Sequence, residues 1–110
     1  IGCPVVSAIT GADAALIVAC DPMANFSERA RTRLTTIPYI SLDPKETPTS
    51  HHATVAFTVA TSGINTPGTV YRMDDVPIPV RPAFESPHPS DETVLRNIES
   101  RVKTRKAICG

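Results

Sequence analysis

Two strongly apolar segments in the first half of the chain predict strands. Asp13 to Cys20 is almost wholly apolar and rich in Ile and Val, which is typical of a parallel strand buried on both faces. A second strand is predicted at Ile37 to Leu42, where Pro38 is compatible with a strand start or an edge. Each strand ends on the same dipeptide, first Asp21-Pro22 and then Asp43-Pro44. The dipeptide is either a turn device or part of a ligand site.

A helical pattern separates the two strands. Phe26, Ala30 and Leu34 recur every four residues among charged side chains, which predicts a helix of about three turns that starts near Ala24. Asn25 or Ser27 is its candidate cap. Strand, helix and strand form a βαβ unit, whose crossover is expected to be right-handed. This part of the chain is therefore predicted to be α/β, with a Rossmann-like parallel sheet.

The middle of the chain predicts a third strand and a hairpin. The polar stretch KETPTSHHA has room for one helical turn, and TVAFTVAT (54–61) alternates apolar and polar positions as a strand does. Gly63, Pro67 and Gly68 then interrupt the pattern. The stretch TVYRMDDVPIPV predicts two short arms around Asp74-Asp75.

The last third predicts an extended connector and a helix. Prolines at 77, 79, 82, 87 and 89 make residues 76–89 extended, because proline cannot donate to a sheet ladder. Ser90 is the predicted cap of the final helix, whose apolar stripe consists of Leu95, Ile98 and Val102. The basic run from Arg101 to Lys106 fits either a solvated helix end or a docking surface for another subunit.

Composition limits the kinds of partner. Eleven basic and eleven acidic residues balance, which offers no long-range attraction to nucleic acid or an anionic membrane. No apolar run reaches the roughly 20 residues that a membrane helix needs. Cys3, Cys20 and Cys109 are scattered, with no C-x-x-C pair to indicate zinc or an iron–sulfur cluster. We expect a cytoplasmic protein with no membrane span and no nucleic-acid partner.

The carboxyl ends of the first two strands are the predicted ligand edge, because open α/β sheets bind ligands there. The alternative is that both aspartates are turn residues that accept local N–H bonds. The first turn, CDPMANF, lacks the G-x-G-x-x-G of an ordinary dinucleotide site. A carboxylate could instead accept hydrogen bonds from N1–H and the N2 amino group of guanine, with a hydroxyl one turn later as a third contact. Asp43 and Thr47 have this relation.

These segments carry a resemblance to a known family. The string DAALIVACDPMANF, with IPYISLDPKETPT, ATVAF and GINTPGTVYRMDDVPIPV after it, resembles the C-terminal part of the B subunit of formylmethanofuran dehydrogenase. The resemblance runs from about Ala12 to Val102, and GTVYRMDDVP is its most specific segment; a glycine is common in the family at the place of Asp75. That subunit is the catalytic tungsten or molybdenum protein of its complex, in the bis(molybdopterin guanine dinucleotide) oxidoreductase superfamily.

The resemblance implies that the α/β part binds one guanine dinucleotide arm of the cofactor. Ala19, Cys20 and Asp21 match the superfamily's first strand end, where backbone contacts to the nucleotide are expected. Asp43 and Thr47 match the expected guanine-reading pair.

Three other residues have open or modest roles. Arg72 fits either a contact to the cofactor or another subunit, or an ion pair with Asp74 or Asp75. His51 and His52 are expected to be surface residues, since adjacent side chains diverge. No residue of this segment is expected to be catalytic or to bind a metal.

The resemblance also implies an activity for the whole enzyme. CO2 is reduced reversibly to formate at a molybdenum or tungsten bis(molybdopterin guanine dinucleotide) centre, and formate is condensed with methanofuran in the first step of archaeal methanogenesis, a part of one-carbon metabolism. A 4Fe-4S cluster belongs to the N-terminal region of such subunits, outside this sequence. The implied partners are amidohydrolase, barrel and ferredoxin-type subunits, and the 110 residues alone are expected to be inactive.

Two other functions compete with this one. A related subunit without the cofactor could serve as a structural partner in a formyltransferase/hydrolase complex, although the retained Asp43 and Thr47 argue against it. A free-standing nucleotide-binding module is disfavoured by the absence of a phosphate loop and by the Pro-rich tail.

The expected organisation has three parts. Residues 1–62 form the βαβ nucleotide-binding part, 63–89 the hairpin and Pro-rich connector, and 90–110 the C-terminal helix. Because the chain opens on Ile1, we expect it to be a fragment of a larger catalytic subunit.

Overall fold

A computed structural model describes residues 11–109 of the chain, so Cys3 lies outside the described residues. Two compact units divide the chain, one ending at Thr58 and one beginning at Val59. The elements are β1 (Ala15–Val18), α1 (Pro22–Asn25), α2 (Glu28–Thr35), β2 (Tyr39–Asp43), α3 (Pro48–His52), β3 (Val55–Thr58), β4 (Gly68–Tyr71), β5 (Pro77–Val80) and α4 (Asp91–Cys109).

The first unit contains a three-stranded parallel sheet in the order β1-β2-β3. Helices α1 and α2 connect the first two strands, and the short α3 connects the second and third. The predicted α/β class, the parallel sheet and the single helical turn in KETPTSHHA are confirmed. Pro38 directly precedes the central strand β2, a position in which its missing N–H costs the sheet no ladder bond.

The helix between the first two strands differs from the prediction. It is broken into α1 and the eight-residue α2, because Phe26 is extended, with φ −87° and ψ 161°. The side-chain amide of Asn25 donates to the carbonyl of Asp21 at 2.9 Å, and this bond closes α1 after one turn. Ser27 does stand at the N-cap of α2, but its side chain makes no capping hydrogen bond.

A hydrophobic cluster of the first unit lies on one face of the sheet. Leu34, Ile37 and Tyr39 form its buried centre, and alanines of β1 and the adjacent loops pack around them. Leu16 points away from this face and is 52% exposed. The prediction that the first strand is buried on both faces is therefore wrong for the described residues, because Leu16 is exposed and no residue of β1 is fully buried.

The second unit contains the predicted hairpin, in which β4 and β5 pair antiparallel. The N–H of Arg72 donates to the carbonyl of Val76 at 3.0 Å, so hydrogen-bonded pairs alternate from there and Pro77 and Pro79 fall at non-hydrogen-bonded positions. The prolines thus leave the ladder intact while they remove N–H donors from the outer edge of β5.

The C-terminal helix is the longest element, and Ser90 caps it by accepting the N–H of Thr93 at 3.1 Å. Val94 is buried, whereas Val102 of the predicted stripe is 48% exposed. Ion pairs one turn apart join Glu92 to Arg96 and Glu99 to Lys103 along the helix surface.

Replacing Asp75 by glycine is expected to stabilise the hairpin. Asp75 has φ +61°, which strains a residue with a Cβ, so Asp75→Gly should raise the free energy of unfolding by up to about 1 kcal/mol in urea denaturation. Asp74→Gly is the matched control and should lower it, because the Arg72 partner is lost. Destabilisation by both changes would contradict this explanation.

Candidate functional site

The candidate site is the edge of the sheet at which the three parallel strands end. Val18 of β1 pairs with Leu42 of β2, and Asp43 pairs with Thr58 of β3, so the segments that follow β1 and β2 leave the sheet at the same edge. The two Asp-Pro dipeptides therefore occupy the topologically equivalent positions that the sequence predicts.

The first strand end is a tight backbone turn. Ala19 has φ +50°, a conformation that is strained for a residue with a Cβ, and its N–H donates to the carbonyl of Leu42 at 2.9 Å. Cys20, next in the chain, has an exposed free thiol. The turn is therefore anchored to β2 at one end and open to solvent at Cys20.

Asp21 uses both its carboxylate and its carbonyl inside the protein. The carboxylate Oδ1 accepts a hydrogen bond of 2.5 Å from the hydroxyl of Thr49, which lies 28 residues away. The carbonyl accepts the N–H groups of Ala24 and Asn25 at 3.2 Å and so starts α1. The side chain of Asp21 therefore orients the turn from within.

Thr49 is fully buried and connects three elements. Its Oγ1 accepts the N–H of Met23 in α1 at 3.1 Å while it donates to Asp21. Its carbonyl accepts the hydroxyl of Tyr39 in β2 at 2.7 Å. Through this one residue, α3 holds the turn after β1 and the centre of the sheet together.

Asp43 ends β2 and is 9% exposed. Its Oδ1 accepts the N–H of Lys45 at 3.1 Å, an Asx turn that fits the predicted local role of the dipeptide. Asp43 also lines an open cleft of about 240 Å³, bordered by residues of the loop, α3 and β3. The other residues at this cleft are Lys45, Glu46, Ser50, His51, Ala56, Phe57 and Thr58.

Thr47 lies close to Asp43 in sequence and caps α3. It is 6% exposed, and its Oγ1 accepts the N–H of Ser50 at 3.1 Å as the N-cap of α3. The hydroxyl of Ser50 in turn accepts the N–H of Thr47 at 2.9 Å, which completes a capping box. Thr47 is not among the residues that line the Asp43 cleft.

Arg72 belongs to the second unit, at the turn of the hairpin. Its Nε and Nη2 donate to the two carboxylate oxygens of Asp74 at 3.1 and 2.7 Å, and both side chains are more than half exposed. The ion pair that the sequence offers as one alternative is therefore present, with Asp74 as the partner.

The histidine pair is exposed, as expected, and lies at the end of α3. His51 Nε2 is 3.9 Å from Glu46 Oε2. Across residues 11–109, the structure brings together no group of three or more His, Cys, Asp or Glu side chains suited to a metal ion.

Sequence reasoning missed Thr49 and Tyr39. Both residues lie in the stretch IPYISLDPKETPT, but the resemblance gives neither of them a role, and the partners of Thr49 come from segments that only the fold brings together. One signal for Tyr39 was available in the sequence. In a strand, Tyr39 and Asp43 lie on the same face, so the tyrosine lies on the face of the sheet that carries the predicted site residue.

The pKa of Tyr39 is raised, first by burial and second by the negative charge of Asp21. A phenol with a raised pKa stabilises the fold fully below its unfolded pKa, near 10, and loses that contribution as the pH rises through the folded pKa.

Tyr39→Phe should therefore abolish part of the alkaline loss of stability. At neutral pH it should cost about 1–2 kcal/mol in urea denaturation, because the buried carbonyl of Thr49 loses its donor. Above about pH 10 the difference in the free energy of unfolding between the wild type and Tyr39→Phe should become smaller. Tyr71→Phe, at an exposed tyrosine, is the control; equal pH profiles for the wild type and Tyr39→Phe would disprove the assignment.

Thr49→Val keeps the shape of the side chain but removes the hydroxyl that Asp21 and Met23 share. We expect a loss of about 1–3 kcal/mol, since a half-buried carboxylate and a backbone N–H lose their partner. Thr49→Ser keeps the hydroxyl and should recover most of this difference. Equal unfolding free energies for the Val and Ser variants would show that the network contributes nothing.

Comparison with known proteins gives relatives but no family model that matches. The chain is 37% identical over 93 residues to the B subunit of the tungsten-containing formylmethanofuran dehydrogenase 2 of Methanocaldococcus jannaschii, a match that covers 83% of this chain and 21% of the relative. It is 33% identical over 96 residues to the protein of the same name from Methanococcus maripaludis, covering 86% of this chain and 22% of the relative.

The chain thus spans about a fifth of the length of the curated relatives it matches. None of the helices in residues 11–109 has the length and apolar character needed to cross a membrane. The matches cover most of this chain, so the family predicted from the sequence motifs is confirmed. The chain belongs to the family of formylmethanofuran dehydrogenase B subunits.

Proposed function

We propose that this chain is the C-terminal, cofactor-binding part of the catalytic subunit of a formylmethanofuran dehydrogenase. The whole enzyme would reduce CO2 reversibly to formate on the way to formylmethanofuran, the entry of CO2 into methanogenesis. Within it, the described residues would bind a guanine nucleotide arm of a bis(molybdopterin guanine dinucleotide) cofactor that carries tungsten or molybdenum.

The observation that carries this proposal is the position of Asp43. Its carboxylate lies at the carboxyl end of the central strand, where α/β sheets bind ligands, and it borders an open cleft. The one hydrogen bond described for it joins Oδ1 to the N–H of Lys45, and a carboxylate oxygen can accept more than one. Guanine presents N1–H and an N2 amino group side by side, which matches the paired acceptors of a carboxylate.

The turn after β1 fits the nucleotide in a different way. Ala19 has the smallest side chain with a Cβ, and its left-handed conformation turns the chain sharply at the sheet edge. Asp21, which Thr49 binds from the inside, would hold this turn in place and leave contact with the ligand to the backbone. This arrangement fits the superfamily's backbone contacts at Ala19, Cys20 and Asp21.

The bound cofactor would supply the two-electron redox chemistry through its metal and dithiolenes. The residues of this chain would bind and orient its nucleotide, and none would exchange protons or electrons with the substrate. By this proposal the 110 residues alone are inactive, and the remainder of the catalytic subunit provides the metal ligand and the 4Fe-4S cluster. The other subunits, of amidohydrolase, barrel and ferredoxin type, would complete a cytoplasmic complex.

Asp43→Asn in the complete subunit tests the proposal. Asparagine keeps the size of the side chain and its Oδ1 can still accept the Lys45 N–H, but its amide offers a donor where guanine also has one. We expect nucleotide binding to weaken by about 1–3 kcal/mol. The measurement is the guanine nucleotide that acid hydrolysis releases per subunit after prolonged dialysis of the purified complex.

Glu46→Gln is the matched control, because Glu46 is an exposed acidic residue at the same cleft. It should leave the nucleotide content unchanged. If Asp43→Asn also leaves the nucleotide content unchanged, with metal content preserved, the proposal is contradicted. If the wild-type complex contains no nucleotide, the cofactor-free structural subunit is favoured.

A further inference from the structure

We propose that Thr58, and not Thr47, is the hydroxyl that acts with Asp43 in reading the base of the bound nucleotide. This inference rests on the proposed function and assigns a specificity residue within the same cleft. It follows from the register of β2 and β3 and from the hydrogen bonds that the neighbouring hydroxyls already make.

The register places Thr58 beside Asp43. The two residues are direct partners in the parallel pair of β2 and β3, and each is the last residue of its strand. In-register residues of neighbouring strands point to the same face and lie about 4.8 Å apart. Both residues line the cleft of about 240 Å³. The carboxylate and the hydroxyl therefore share one face at the edge where ligands bind.

Three other hydroxyls lie near Asp43: that of Ser41 is fully buried, and those of Thr47 and Ser50 take part in the capping box of α3. Thr47 Oγ1 accepts the N–H of Ser50, and Ser50 Oγ bonds to both the N–H and the carbonyl of Thr47. Thr47 is also buried and absent from the cleft lining. Thr58 is exposed, and no partner for its hydroxyl occurs among the described residues. Thr58 is thus the hydroxyl at the cleft that is available to a ligand.

The pair matches one edge of a 6-oxopurine. Guanine presents, in order, the N2 amino donor, the N1–H donor and the O6 acceptor. Two carboxylate oxygens can accept the first two groups, and an adjacent hydroxyl can donate to the third. Adenine reverses this pattern, with an amino donor where O6 would be. Thr58 therefore adds a contact that adenine cannot accept.

Two substitutions separate the candidates in the complete subunit, with nucleotide retention after dialysis as the measurement. Thr58→Val removes the hydroxyl from an exposed strand position and keeps a β-branched side chain. We expect nucleotide retention to fall by roughly three- to tenfold, the effect of one lost hydrogen bond. Thr58→Ser keeps a hydroxyl and should restore retention, which separates a ligand contact from a packing effect.

Thr47→Asn is the matched control for Thr58→Val. It replaces the threonine hydroxyl but keeps the helix cap, because asparagine is a good N-cap and can still accept the Ser50 N–H. It should leave retention unchanged, and the melting temperatures of all variants should stay close to that of the wild type. A loss in Thr47→Asn, or no loss in Thr58→Val, would overturn the assignment of Thr58 while Asp43→Asn still reports on the proposed function. If Asp43→Asn has no effect, the proposed function and this inference both fail.

Discussion

The hydrogen bond between the buried hydroxyl of Thr49 and the carboxylate of Asp21 is the contact on which the shape of the sheet edge depends. Its two ends are 28 residues apart, and Thr49 also binds the N–H of Met23 and the hydroxyl of Tyr39. Buried polar groups are costly unless they are all paired, and here the threonine hydroxyl and carbonyl both are. The five-residue α3, too short to be stable alone, is fixed by this network together with its capping box.

That network gives the two Asp-Pro dipeptides different roles at equivalent positions. Asp21 is bound by Thr49 from within, so its side chain orients the turn and the backbone of the turn faces outward. Asp43 makes one local bond to the N–H of Lys45 and lines the open cleft. The second dipeptide is therefore the one whose side chain can recognise a ligand, and the first supplies geometry.

Much of the fold could be predicted from the sequence because its signals are local. Apolar runs, the proline positions and the Asp74-Asp75 turn led to the parallel strands and the hairpin. The split between α1 and α2 was missed, since a side-chain bond from Asn25 closes the first turn within a continuous helical pattern. The role of Thr49 and the pairing of Asp43 with Thr58 depend on register and long-range contacts, which no single segment encodes. Predicted nucleotide contacts at Ala19, Cys20, Asp21, Asp43 and Arg72 remain proposals, and Thr58 replaces Thr47 in the proposed contact with the base.

The most direct test of the central claim is an experimental structure of the complete, cofactor-loaded subunit. The account predicts a guanine base at the carboxyl end of β2, with its N1 and N2 atoms about 3 Å from the carboxylate oxygens of Asp43 and O6 within hydrogen-bond distance of Thr58. A nucleotide bound elsewhere, with only the N–H of Lys45 near the Asp43 carboxylate, would contradict it.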